Sequence, residues 1–244
     1  MITLTLPIKR QHQAGFTLVE MAIVLMIVGL LLGGLLVPLS AQMEQRNVTE
    51  TRKQLDEIQQ ALIGYAVAKG NFPCPAKSAS DGTENRNVSG TCNQRQGYIP
   101  WSELGITKLD AWGRIIRYSA SPLYTNSLTK FKLGDVRDIT ISTRNAAGAL
   151  VNLSNNADIP VVILSHGKNG YGATLDNGTI LGNTTTNIDE QTNSNTVGAG
   201  AGTSFVTKDQ SNSTTTGGGE FDDLVVWISP NVLFNRMVAA GKLP

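Results

Sequence analysis

Histidine and cysteine are scarce in this chain, with two of each among 244 residues. His12 and His166 stand apart from each other and from Cys74 and Cys92, so the ligand spacing of a structural zinc site is missing. Ser165 and His166 are neighbours. On a strand, neighbouring side chains point to opposite faces and do not make a nucleophile–base pair. No phosphate loop, dinucleotide-type glycine pattern or zinc-protease helix motif occurs. The glycines at 198, 200, 202 and 217–219 sit in low-complexity sequence, with no strand before them and no helix after. An excess of one charge is lacking as well: 20 Lys and Arg face 19 Asp and Glu. That balance gives no basic face for nucleic acid and no acidic tail. Neither catalysis, nor a cofactor, nor a nucleic-acid partner is expected from these absences.

What the chain has is one long apolar run. Phe16 to Leu39 spans about 24 residues with Glu20 as its only charge. About 20 residues suffice to cross a bilayer as a helix, whereas a secretory signal core has about 7–15. Residues 1–15, a mixed polar stretch ending in Ala14-Gly15 and carrying Lys9 and Arg10, read as a leader. A cut after Ala41 is the alternative, but it places bulky Leu39 where a small residue is wanted. Lys9 and Arg10 before the run are matched by Arg46, Arg52 and Lys53 after it, so counting cations does not set the orientation.

The helical pattern continues beyond the run. Val48, Leu55 and Leu62 recur every seven residues, and Ile58 and Tyr65 fill the rows between. Gly70-Asn71 supplies a stop, and Pro73 prevents resumption. Thus 16–70 is expected to be one long helix, apolar in its first half and one-sided in its second. Gly29, Gly33, Gly34 and Pro38 either soften it locally or let neighbouring helices approach. From residue 71 on, short β-branched runs at 115–119, 139–143, 160–165 and 224–228 read as strands. Ser229-Pro230 opens a last helix to about Ala240. The Thr, Asn, Ser and Gly stretch at 183–219 reads as a long mobile loop. The expected fold class is α+β, a long N-terminal helix packed on an antiparallel sheet head at 71–244. The two cysteines lie in a turn-rich stretch. They form one disulfide if the head lies outside the cytoplasm; two unrelated buried thiols are the other reading.

Lys9-Arg10-Gln-His-Gln-Ala-Gly15 followed by Phe16-Thr-Leu-Val-Glu20 resembles the N-terminus of the type IV pilin and type II secretion pseudopilin superfamily. Asp110-Ala-Trp-Gly-Arg114 with Tyr118, and Ser165-His-Gly-Lys-Asn-Gly170, resemble two elements of the major pseudopilin head. The resemblance implies a pilin-like fold, cleavage by a prepilin peptidase between Gly15 and Phe16, and N-methylation of Phe16. It also implies a role for Glu20 in assembly, opposite the Phe16 amine of a neighbouring subunit. Expected partners are that peptidase, other pilin or pseudopilin subunits, an inner-membrane assembly platform and membrane lipid. The expected place is a single-pass position in a bacterial inner membrane with the head in the periplasm, then a pilus or pseudopilus. The resemblance further allows calcium in the loop after the second element. The oxygen-bearing candidates there are Asp176, Asn177, Asp222 and Asp223, scattered and without EF-hand spacing. Asp222-Asp223 reads as the opening of a strand that faces water, and Trp112 and Tyr118 read as core anchors.

Three functions fit these residues. The first is a structural filament subunit, a minor pilin or pseudopilin. The second is a filament-tip or membrane-anchored binding module of the adhesin or DNA-uptake type. The third is a periplasmic protein with an uncleaved signal anchor. The motif at 15–20 disfavours the third, and the long polar head leans toward a low-copy subunit.

Overall fold

The computed structural model describes residues 15–154, 157–194 and 201–243; at 33–38 it describes the backbone and not the side chains. The leader residues before Gly15, with Lys9, Arg10 and His12, lie outside the described residues. The chain divides into two compact units, Met1–Gln45 and Arg46–Pro244.

Helix α1, Leu18–Lys69, begins one turn after Gly15. It ends where Gly70 takes a left-handed φ of 77° and donates its N–H to the Ala66 carbonyl at 2.7 Å. Among the described residues of the first unit the apolar side chains of α1, such as Leu18, Leu25 and Met26, are exposed, as is Phe16 just before it. Among the described residues no helix is long and apolar enough to cross a membrane. The apolar run of the sequence passes through 33–38, whose side chains are outside the description, to Leu39, which is exposed. In the second unit α1 turns one-sided. Val48, Leu55, Ile58, Leu62 and Ala66 are buried, along the stripe that the seven-residue spacing predicts.

The head is built on a four-stranded antiparallel sheet, ordered β1 (Gln96–Tyr98), β2 (Arg117–Ala120), β5 (Val161–Ser165) and β7 (Leu224–Ile228). One-turn helices α2 (Trp101–Leu104) and α3 (Pro122–Thr125) flank β2. Strand β5 is central and buried on both faces. Val161 and Ile163 join Tyr118, Ile228 and the α1 stripe in one apolar cluster. Val162 and Leu164 join Ile139, Ile141 and Phe205 in another. Burial on both sides is why β5 reads as an unbroken apolar run. The second cluster is covered by a sheet the sequence reading did not foresee: β4 (Leu150–Asn152), β3 (Thr140–Arg144) and β6 (Ser204–Val206), with β3–β6 parallel. The head therefore has three layers: helix, sheet, sheet. The fold is α+β and pilin-like. Helix α5, Pro230–Ala239, returns Leu233 and Met237 to the first cluster.

The stretch at 183–219, expected as a mobile loop, carries two short elements among its described residues. Its described residues include helix α4, Ile188–Ser194, and strand β6; 195–200 lie outside the described residues. Polar anchors do what apolar side chains cannot here. Asp189 binds Arg144 of β3 at 2.7 Å and Lys208 at 3.0 Å. The Asn193 amide pairs with both backbone groups of Val206, at 2.9 and 2.7 Å.

The 74–92 loop is closed by a Cys74–Cys92 disulfide. Inside it Arg86 donates to the carbonyls of Phe72, Gly90 and Thr125 and to Glu84. Glu84 in turn accepts the Cys74 N–H at 3.0 Å.

Candidate functional site

At the N-terminus, Gly15 and Phe16 precede the helix in an irregular stretch, and Phe16 is 85% exposed. Thr17 is the residue before the first helical turn and Glu20 the third residue inside it. The Thr17 N–H and hydroxyl each donate to Glu20 Oε2 at 2.8 Å, and the Glu20 N–H donates to Thr17 Oγ1 at 3.2 Å. This is a reciprocal capping box, which satisfies helix-end donors otherwise left unpaired. The pattern Thr17-x-x-Glu20 ahead of an apolar run is its sequence signal, and the sequence reading passed over it.

In the head, the two segments singled out in the sequence meet each other. Asp110 Oδ1 accepts the N–H groups of Trp112 and Arg114, each at 2.9 Å, which shapes the turn. Its Oδ2 accepts the Ser165 hydroxyl at 2.6 Å, so Ser165 is committed to this bond. Arg114 reaches the carbonyls of Gly167 and Lys168. Gly170 leaves room for that guanidinium: a Cβ there would lie 2.3 Å from Arg114 Nε. Gly167, at φ 54°, lies against Asp222, whose carbonyl oxygen would be 2.2 Å from an added Cβ. Tyr118 is buried and donates to the Pro73 carbonyl at 3.0 Å; Trp112 is half-buried against the α1-side cluster.

Residues 10–36 match the family model of the prokaryotic N-terminal methylation motif. The chain bears the signature of type IV pilin and pseudopilin leaders. No curated protein and no solved structure matches it. What the chain carries beyond residue 36 is therefore read from its own residues.

The head holds a buried acidic group at the meeting of α4, the end of β5 and the start of β7. Oxygens of Glu190, Asp222 and Asp223 lie within 4.8 Å of one another. The sequence reading has Asp222-Asp223 facing water. In the fold Asp223 is 3% exposed, because α4 and the second sheet cover that end of the first sheet. Glu190 was not foreseen, and nothing in its Thr- and Asn-rich surroundings signals it. Its carboxylate accepts from Asn169, Asn187 and the Asp222 N–H. Asp222 Oδ2 accepts the Asn169 N–H at 2.7 Å, and Asp223 Oδ2 accepts Asn193 at 2.8 Å. The partner oxygens, Asp222 Oδ1 and Asp223 Oδ1, are buried without a hydrogen bond. Burial pushes Asp223 up to about 8. Burial likewise pushes Asp222 up to about 7, with Glu190 and Asp223 adding to it and the Asn169 N–H opposing. Burial lowers His166 to about 3, and Arg117 adds to it.

Asp176 is not part of this group; it is exposed and pairs with Lys108. Asn177 accepts the Thr179 N–H in a local turn. Of the four oxygen-bearing candidates, the fold thus brings together Asp222 and Asp223 and adds Glu190. Three carboxylates, one of them saturated with hydrogen bonds, fall short of the six to eight oxygens that calcium takes. The group does not fit calcium, and no role is derived through it.

Proposed function

We propose that this chain is a structural subunit of a type IV pilus or a type II secretion filament, a minor pilin or pseudopilin, and not an enzyme. A prepilin peptidase cuts it between Gly15 and Phe16, the new Phe16 amine is methylated, and the helix from Phe16 to about Leu39 anchors it in the inner membrane until assembly. The head, from about residue 71, stands in the periplasm, where the Cys74–Cys92 disulfide is stable. The observation that carries this reading is the start of α1. A methylation-type motif at 10–36 leads into a capped helix whose apolar side chains are exposed on every side, with a single acid at Glu20. Apolar surface of that extent needs lipid or neighbouring helices to cover it. In a filament both are supplied in turn, and each Glu20 meets the Phe16 amine of the next subunit, which sets the axial register.

The test is fractionation of cells that make the full chain together with its peptidase and assembly platform. The chain is expected in the sheared filament fraction. Gly15→Val is expected to leave it uncut in the membrane, because a branched side chain crowds the scissile bond. A Gly15→Val chain that is processed and assembled normally contradicts the proposal.

A further inference from the structure

The guanidinium of Arg117 has no place in the filament reading, and its surroundings are unusual for a cation. Arg117 stands on β2 between Tyr98 of β1 and Leu164 of β5. Leu164, directly opposite, belongs to the second apolar cluster, so the Arg117 side chain points toward that layer. It is 5% exposed. Arginine keeps its charge inside a protein, and a buried charge is costly unless an opposite one pairs with it. The arginine–carboxylate pairs among the described residues belong to Arg86, Arg95, Arg137 and Arg144, and Arg117 is in none of them. Residues 1–14, 33–38, 155–156, 195–200 and 244 contain no Asp or Glu, so no acidic side chain is left to serve it. The face of the guanidinium is covered, with Cζ 5.6 Å from the centre of the Tyr98 ring. Its edge is not: Nε and Nη2 are buried without a hydrogen-bond partner. These two nitrogens are neighbours on one side of the planar group, and their N–H bonds run side by side as a fork suited to an anion. Buried polar atoms in folded proteins are nearly always paired.

We propose that the Nε–Nη2 edge of Arg117 binds one small monovalent anion of the size of chloride. Burial decides the size. A phosphate ester, or a carboxylate on a larger molecule, needs a way out for the rest of the ligand, and a side chain this deeply covered offers none. A spherical ion little larger than water needs no such exit and accepts both N–H groups at once. The single charge of the guanidinium decides the valence. A divalent anion would leave one buried charge uncompensated, whereas a monovalent one closes the balance. The Tyr98 ring over the guanidinium face keeps the fork in place, and the packing against Leu164 keeps it dry, which strengthens the pairing. The Arg117 charge is also felt at His166: burial lowers that ring to about 3 and Arg117 adds to it. The anion therefore neutralises a cation set among β1, β2 and β5, and steadies the head from within.

The site lies wholly in the second unit, so its test is independent of the filament reading. The full chain, purified in detergent, is melted in potassium chloride and in potassium gluconate at equal ionic strength. Gluconate is too bulky for a sealed site. Arg117→Met, which keeps an extended side chain and removes the charge, is melted beside it so that general salt effects cancel. The wild-type melting temperature is expected to climb with the logarithm of chloride concentration, relative to gluconate, as it does for a ligand that binds the folded state alone. Arg117→Met is expected to lose that climb. In gluconate it should melt no lower than wild type, because an unpaired buried charge has gone. A second measurement keeps the wild-type site and does not depend on the variant's folding. With 15N-labelled arginine, the slowly exchanging Nε–H resonance of buried Arg117 is expected to shift when gluconate is replaced by chloride. The same chloride response in both chains, an Nε–H resonance that stays in place, or an Arg117→Met chain that melts below wild type in gluconate would each overturn the proposal. A water molecule in the place of the anion would give the first two of these results.

Discussion

Thr17 and Glu20 hold each other at the start of the long helix: the Thr17 N–H and hydroxyl both lie 2.8 Å from one Glu20 oxygen. The acid that the filament reading assigns to pairing between subunits thus has a second task within its own chain. The two tasks can be separated, because glutamine closes a capping box as well as glutamate but carries no charge. Glu20→Gln is expected to keep the helix start and the folded head, yet fail to enter filaments. Thr17→Ala, which removes the cap and keeps the charge, is expected to assemble. Shearing followed by immunoblotting, with circular dichroism of the purified chain, checks both. Full incorporation of Glu20→Gln would mean that the charge is not used between subunits.

Cys74 and Cys92 are 18 residues apart in sequence. Closing a loop of that size limits the unfolded chain by about 3 kcal/mol on the chain-entropy account. The double substitution Cys74→Ala/Cys92→Ala is expected to lower head stability by roughly that amount. Arg86 and Glu84 still tie the loop to its neighbours, so the fold should survive. Denaturant unfolding of the oxidised chain against the double variant measures the difference. Equal midpoints would show that the polar network alone holds the loop.

Asp189 anchors α4 to β3. Its side chain is 1% exposed and takes both Arg144 and Lys208. Burial by itself would raise this carboxyl, but the hydrogen bonds from Arg144 and Lys208 outweigh it and hold the carboxyl below its ordinary 3.8. The folded value is depressed. Its stabilising contribution is therefore fully present above pH 3.8 and lost as pH falls through the lower folded value. Asp189→Asn is expected to cost about 3 kcal/mol at pH 7, the scale for leaving one partner of a buried pair alone. For a head of this size that is about 6–12 °C of melting temperature. The gap between variant and wild type should narrow on acidification below about pH 4. A gap that is constant from pH 7 to pH 3 would show that the loss is one of packing and not of charge.

Gly167 of the Ser165–Gly170 turn and Gly105 at the end of α2 separate backbone strain from close approach. Gly105 and Gly167 both have left-handed φ, 64° and 54°. Nothing lies within 4 Å of a Cβ at Gly105, whereas at Gly167 the Asp222 carbonyl oxygen would be 2.2 Å away. Gly105→Ala is expected to cost about 1 kcal/mol, the backbone term alone. Gly167→Ala should cost more than about 3 kcal/mol, since the start of β7 must move. Chemical denaturation of both variants decides it, and equal costs would mean that Asp222 gives way freely.

These contrasts also mark what the sequence could reveal. The buried stripe of α1 and strand β5 are legible because apolar residues repeat over many turns or run unbroken across a two-sided strand. The three-residue strands β1, β4 and β6 are too short to carry a period. Helix α4, Ile188-Asp-Glu-Gln-Thr-Asn-Ser194, has no apolar face, and its stability comes from Arg144, Lys208 and Asp223, all distant in sequence. Glu190 escapes notice for the same reason. It meets Asp222 across 32 residues, and composition alone reads its surroundings as solvated loop. The capping box, by contrast, was written in four consecutive residues.

The account stands most directly on the mature N-terminus. Mass spectrometry of the chain extracted from membranes that contain the peptidase reads it in one step. The expected species begins at Phe16 and is one methyl group heavier than the unmodified chain. A chain that begins at Met1, or one that begins after Ala41, contradicts the filament-subunit account at its root.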